Sequence, residues 1–287
     1  MISSPGRIPL SLHFGYHRAG RMIDNIPKRR VDGGLKAQVR VVYALLLREM
    51  LGRFGLSRVG YLWLVAEPVM LALGVSGIHW MMGEGDVHGV PVFLFYGLGY
   101  APFFMFRAIL TRNASTIQAA HSLLFHRPIK LMDLCLARTI LEATACLPVI
   151  FLFVLASVMS AGIWPAEPGL MPLVLVISAL FAHGMGMLLA ALVVFYEPLE
   201  RFIHPLTYLM MPFSGAFSMI ESLPPAGQEA LLWSPLVHVH EAFRDAMWGS
   251  RIVSHYDLSY PILWALFLNM LGMAALRAAR PHVTLSH

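Results

Sequence analysis

His238, His240, Glu241 and Arg244 fall in the run Ser234-Pro-Leu-Val-His-Val-His-Glu-Ala-Phe-Arg-Asp-Ala-Met-Trp248. A zinc hydrolase helix reads H-E-x-x-H, which puts two histidines one turn apart with a carboxylate between them. Here Arg244 stands where the second histidine must be. His238 and His240 are two apart, so on a helix they point about 200° away from each other. No shared metal is expected, and no catalytic set. Phe213-Ser214-Gly215 lacks the G-x-S-x-G turn of a serine nucleophile. The lysines are Lys28, Lys36 and Lys130, and none follows a glycine. Without G-K-[ST] there is no phosphate loop, so this chain is not a P-loop ATPase by itself. Glu67 and Glu142 lie in separate apolar runs and could meet only through folding; both read first as structural.

The chain has 287 residues, 57% hydrophobic and 13% charged, where soluble domains carry about 25% charge. Apolar runs of about 20 residues mark an integral membrane protein. Spans are expected at about 61–82, 90–110, 136–159, 170–196, 202–220 and 260–276. The first contains Glu67-Pro68, and its carboxylate needs a partner, with Arg53 and Arg58 the nearest in sequence. The fourth carries Ser178, Ala182, Gly186 and Ala190 every four positions, a stripe for close helix packing. The fifth is interrupted by Pro205, Pro212 and Gly215. Cys135 and Cys146 lie about 16 Å apart along one helix, too far for a disulfide.

Of the 21 lysines and arginines, all but Arg244 and Arg251 fall on one side of this arrangement. The positive-inside rule puts that side, with both termini, in the cytoplasm. Residues 1–33 have no apolar core after their basic start and read as a cytoplasmic tail rather than a secretory signal or transit peptide. Residues 34–60 read as an amphipathic interface helix, with Leu35, Val39, Val42, Leu46 and Met50 on one face. Residues 61–276 form the six-span domain, with a cytoplasmic loop at 111–133, and 277–287 form a short cytoplasmic tail.

Residues 222–258 are different in kind. Pro225 can start a helix ending near Trp233; Ser234 and Pro235 suit the N-cap and first turn of a second, which stops at Gly249. Fourteen residues rise only about 21 Å, short of the ~30 Å hydrocarbon core. These helices either lie at the interface or form a lid over a pathway. Leu236, Val239, Phe243 and Met247 make a stripe that needs an apolar partner, which a twin subunit could supply. Glu241 and Arg244 have the i, i+3 spacing of a helix-surface pair, worth about 0–1 kcal/mol if exposed.

Three segments in order resemble one family. Arg53-Phe-Gly-Leu-Ser-Arg-Val-Gly-Tyr-Leu-Trp-Leu-Val-Ala-Glu-Pro68 is similar to the start of the first span of ATP-binding-cassette polysaccharide exporters. Ser122-Leu-Leu-Phe-His-Arg-Pro-Ile129, with Asp133 and Ala137-Arg138, resembles their loop between spans two and three. Leu232-Trp-Ser-Pro-Leu-Val-His238, with Glu241 and Arg244, resembles their outer loop between spans five and six; many members have Asn-Pro where this chain has Ser234-Pro235.

The resemblance implies an all-α integral membrane fold with six transmembrane helices, an N-terminal amphipathic interface helix and two short periplasmic re-entrant or gate helices. It implies a permease subunit, not an enzyme, moving a lipid-linked capsular polysaccharide across the bacterial inner membrane. No cofactor belongs to this chain; ATP and Mg would sit on two separate ATP-binding subunits. Also implied are a homodimer, a periplasmic co-polymerase and an outer-membrane channel. Ser122, Leu123, Phe125, His126, Arg127 and Pro128 would couple to the ATPase. Trp233, Pro235, His238, Glu241 and Arg244 would belong to the gate. Candidates for the pathway are Trp63, Glu67, Arg107, Arg112, Tyr208 and Phe213, because aromatic faces stack on sugars and arginines attract phosphate. Arg138 shares that last reading, or merely sets topology. An O-antigen or teichoic-acid exporter is the near alternative. A secondary transporter or channel, which would show inverted repeats or a paired relay, and an intramembrane enzyme are the distant ones.

Overall fold

The computed structural model describes residues 34–54, 59–83, 85–117 and 130–285. The chain divides into two units, residues 1–39 and 40–287. The helices of the second unit are α1 (Gly34–Phe54, from Arg40 onward), α2 (Val59–Met81), α3 (Val92–Ala114), α4 (Leu131–Ala161), α5 (Leu170–Phe195), α6 (Leu199–Leu209), α7 (Pro225–Leu232), α8 (Pro235–Trp248) and α9 (Ser259–Leu285). A two-residue hairpin, Asp86–Val87 with Val90–Pro91, joins α2 to α3. Its turn is His88-Gly89, both at positive φ (54° and 73°), the backbone that tight hairpins favour.

The core is α3. It packs against α2, α4 and α5, and 89% of its apolar window is buried. Its sequence, Val-Phe-Leu-Phe-Tyr-Gly-Leu-Gly-Tyr-Ala-Pro-Phe-Phe-Met-Phe, is apolar all round rather than striped, which is the pattern of a helix without a lipid face. α3, α4, α5 and α9 are long and apolar enough to cross a membrane. α4 is longer than the expected span at both ends and stops where Gly162 turns left-handed (φ 65°).

Small residues set the closest contacts. Ser178, Ala182 and Ala190 are fully buried, and a Cβ on Gly186 would sit 2.7 Å from Cβ of Asn113 on α3. The expected stripe therefore faces α3. A second close contact, unforeseen, lies on the other side of α5. A Cβ on Gly184 would meet the Asn269 amide nitrogen of α9 at 2.6 Å, and one on Gly272 would meet the Gly184 carbonyl at 2.8 Å. Two helices pressed backbone to backbone have no room for a methyl group. Gly184→Ala should therefore cost about 1–3 kcal/mol by overpacking, read as a lower unfolding temperature of the detergent-purified protein; an unchanged temperature would contradict this contact.

The fifth expected span is not one helix. α6 has 11 residues, a rise of about 16 Å. The chain then takes a 3-10 turn at Pro212–Ser214, a left-handed Gly215 (φ 80°) and a second 3-10 turn at Ile220–Ser222. Pro212 cannot donate to the helix above it, and Gly215 permits the reversal. At the other end, α9 continues to Leu285, so the expected tail at 277–287 is helical over most of its length.

Within α1, Val42 and Leu45 are buried, while Leu46 and Met50 are half-buried. The buried edge is shifted by one residue from the stripe read in the sequence, and Tyr43, Leu47 and Leu51 are exposed.

Candidate functional site

Four arginine–glutamate pairs stand among the described residues, three between helices, Arg107 with Glu67, Arg112 with Glu142 and Arg138 with Glu49, and one within α8, Arg244 with Glu241.

The first pair joins α2 to α3. Arg107 Nη2 donates to Glu67, and Nη1 donates to the Tyr208 hydroxyl of α6 at 2.9 Å. The guanidinium also lies over the Tyr208 ring, 4.6 Å from its centre. Glu67, Arg107 and Tyr208 stand eight, seven and nine residues from the Val59, Ala114 and Leu199 ends of their helices, or about 10–14 Å in each case. The hydrogen bonds bring these three side chains, each about two turns or more into its helix, to one point. Among the described residues the partner of Glu67 is Arg107; the side chains of Arg53 and Arg58, the partners nearest in sequence, lie outside the described residues. Glu67 keeps 31% of its side chain exposed, and Tyr208 is exposed too.

Arg112 Nε donates to Glu142 at 3.2 Å. Arg138 reaches Glu49 of α1 at 3.2 Å through Nε. Each arginine considered as a lipid-phosphate ligand therefore already holds a carboxylate. Beside them, Asn113 Nδ2 donates to Thr139 Oγ1 at 2.9 Å, and the Thr139 hydroxyl lies 2.8 Å from His183 Nδ1. This polar chain through α3, α4 and α5 has no motif in the sequence.

The fourth pair lies within α8, where the i, i+3 spacing had left open either an exposed pair or a drier one. Glu241 and Arg244 are both 0% exposed. Arg244 Nη1 donates to Glu241 at 3.1 Å and to the Ser218 carbonyl at 3.1 Å. Its Nη2 donates to the carbonyls of Gly215 and Ala216 at 2.5 and 2.8 Å. Glu241 accepts the His255 amide at 3.2 Å and faces the Ile220 amide at 3.5 Å. The pair thus satisfies the backbone of the unwound stretch after α6. Irregular backbone at membrane depth persists only where protein or water supplies its hydrogen bonds. α8 itself is buried on nearly every side, against α3, α5 and α9. Its stripe Leu236, Val239, Phe243 and Met247 finds its apolar partner within this chain rather than in a twin.

The other α8 groups serve the same local architecture. His238 Nδ1 accepts the Asp257 amide at 2.9 Å, so its Nε2 carries the proton and donates to the Leu232 carbonyl at 2.9 Å. His240 Nδ1 donates to the Leu236 carbonyl at 2.7 Å, and burial pushes this imidazole down to about 3, leaving it neutral. Ser234 takes the N-cap position but its side chain makes no capping bond; the Val237 amide instead donates to the Ser234 carbonyl at 3.1 Å. Pro235 occupies the first helical turn as expected. Trp233 is 80% exposed, and its carbonyl accepts the Tyr260 hydroxyl at 3.0 Å. Just outside, the Tyr256 hydroxyl donates to Asp245 at 2.8 Å and is pushed up to about 12 by burial and by that carboxylate.

Of the remaining candidates, Phe213 is exposed and lines a shallow apolar hollow with Leu206, Leu209, Met210 and Leu236. The backbone at Trp63 lies in α2, but its side chain is outside the described residues, as are Ser122, Leu123, Phe125, His126, Arg127 and Pro128. Tyr96 and Phe103 are buried in the core around α3. Cys135 and Cys146 are buried and share no disulfide. Among the described residues no three His, Cys, Asp or Glu side chains gather as a metal site would require.

Sequence reasoning passed over Glu49, Gly184 and Gly272. Glu49 had a signal: it is the one acid in a helix with Lys36, Arg40, Arg48 and Arg53. The glycines had none, because their role depends on which helices meet.

Apolar helices packed round a fully enclosed one, with their charges paired inside, define a multi-span membrane protein. The chain belongs to the ABC-2 type transporter membrane family, whose model matches residues 40–248. It is 34% identical over 244 residues to the capsule polysaccharide export inner-membrane protein CtrC of Neisseria meningitidis serogroup B, covering 84% of this chain and 91% of that one. It is 28% identical over 244 residues to the capsule polysaccharide export inner-membrane protein BexB of Haemophilus influenzae, with 85% and 92% covered. Against the polysialic acid transport protein KpsM of Escherichia coli it is 31% identical over 249 residues, with 85% and 95% covered.

Proposed function

We propose that the chain is the permease subunit of an ATP-driven exporter that moves a lipid-linked capsular polysaccharide across a bacterial inner membrane. The similarity to capsule export proteins along nearly their whole length carries this reading, in preference to an O-antigen or teichoic-acid exporter. In it, two copies work with two ATP-binding subunits that hold ATP and Mg. A periplasmic co-polymerase and an outer-membrane channel complete the route. The chain crosses the membrane six times, with both termini cytoplasmic. α6 and the unwound Met210–Ser222 segment together make the fifth crossing, and α7 and α8 are the periplasmic gate helices. Ser122–Pro128 engage the ATPase.

The part-exposed Glu67 and exposed Tyr208, joined through the buried Arg107, support a pathway wall on that face. A carboxylate part-way through the bilayer is costly against lipid and is tolerated beside water or protein. One experiment tests function and orientation together. Cells that make the polymer should retain it inside when this chain is removed and export it when the chain is restored. In those cells a cysteine at Gly85 or Glu167 should label from outside and one at Ser122 should not. Export without the chain, or outside labelling at Ser122, would overturn the reading.

A further inference from the structure

Arg138 holds three separate pieces of chain at one point. Its Nε and Nη2 face Glu49 Oε2 and Oε1 at 3.2 and 3.5 Å. Its Nη1 donates to the Arg112 carbonyl at 2.8 Å and to Thr116 Oγ1 at 3.2 Å. Arg138 and Glu49 are 3% and 10% exposed, so water screens neither. The Arg112 carbonyl belongs to the last turn of α3, where unpaired carbonyls and the helix dipole favour a cation. Arg112 in turn pairs with Glu142, one turn beyond Arg138 on α4, and Cys135, one turn before it, donates its thiol to Thr116 at 3.7 Å. One face of α4 thus grips the end of α3 and the side of α1.

We infer that Arg138 is a positioning residue that locks α1, the end of α3 and the start of α4 into one mechanical unit. Under the proposed function, on which the second half of the test rests, the stretch between α3 and α4 meets the ATPase. A push delivered there reaches α1 and the spans only if these three elements move together. Arginine suits the task because its planar fork serves a carboxylate on one edge and a carbonyl and hydroxyl on the other; lysine cannot reach all of them.

The first arm uses the permease alone, in lipid nanodiscs. Spin labels go on the exposed positions Leu47 of α1 and Leu136 of α4. The wild-type background should give one narrow distance and Arg138→Gln a broad one, with Glu49→Gln between them. An unchanged distribution in Arg138→Gln overturns the lock. The second arm uses the permease with its ATP-binding subunits and polymer. Arg138→Lys, which keeps the charge and so protects folding, should lower polymer exported per ATP hydrolysed about tenfold, with the complex still assembled. Export per ATP equal to wild type there overturns the coupling role. A lock seen in the first arm, with no polymer moved by the wild type in the second, refutes the functional reading and leaves the lock standing.

Discussion

Arg244→Ala should destabilise the protein by about 3–5 kcal/mol, the range for breaking a buried pair by removing one partner. Glu241 would be left as a buried carboxylate holding only backbone amides. The carbonyls of Gly215, Ala216 and Ser218 would lose their donor in the same step. Glu241→Gln should be milder, since the amide oxygen still accepts from Arg244, though its NH2 then faces the His255 amide in place of the second carboxylate oxygen. Replacing both with apolar residues should cost less than the two single changes added together, because no lone charge remains. Unfolding of the purified protein in detergent measures all of these. An Arg244→Ala protein as stable as wild type would mean that the unwound segment is held by something else. If α8 is a gate helix, polymer export falls in step with the loss of the pair.

Arg107→Ala should come next in size. It strips the cation from Glu67 and the donor from Tyr208, at an expected cost of about 2.5–3.5 kcal/mol for an unmatched ionisable group in the membrane. Two comparisons separate charge from packing. Glu67→Gln still accepts from Arg107 but leaves an uncompensated cation that is 10% exposed. Tyr208→Phe keeps the ring beneath the guanidinium and loses one hydrogen bond, about 1 kcal/mol. The expected order of loss is Arg107→Ala, then Glu67→Gln, then Tyr208→Phe, read as membrane level and unfolding temperature. Equal effects from all three would show that packing, not charge matching, sets the stability of this point.

The sequence made the membrane class, the long helices, the α7–α8 pair and the stripe on α5 legible, because each is written in a local period or a local breaker. α3 was legible as a span, yet its place at the centre follows from being apolar on every side, which only the neighbours reveal. The break after α6 was signalled by Pro212 and Gly215, but a run of apolar residues through Ile220 hid how short the helix is. Arg244 and Glu241 were legible as a pair, but whether water reaches it was left open. Spacing on a helix fixes which residues face each other and says nothing about what covers them. Glu67 was legible as a carboxylate that needs a partner, and Arg107 on the next apolar helix is that partner among the described residues.

The pairing of Glu67 with Arg107 also constrains how the chain enters the membrane. Synthesis delivers α2 before α3, so for a time the carboxylate exists without its cation. Releasing α2 alone into lipid would leave that charge unmatched, at about 3 kcal/mol against insertion. Holding α2 until α3 arrives lets the two leave as a hairpin, already joined at its far end by the tight His88-Gly89 turn. Tyr208 comes about a hundred residues later and docks on a pair that is already made. Under the six-crossing reading, the same contact thus sets an order of assembly for α2 and α3.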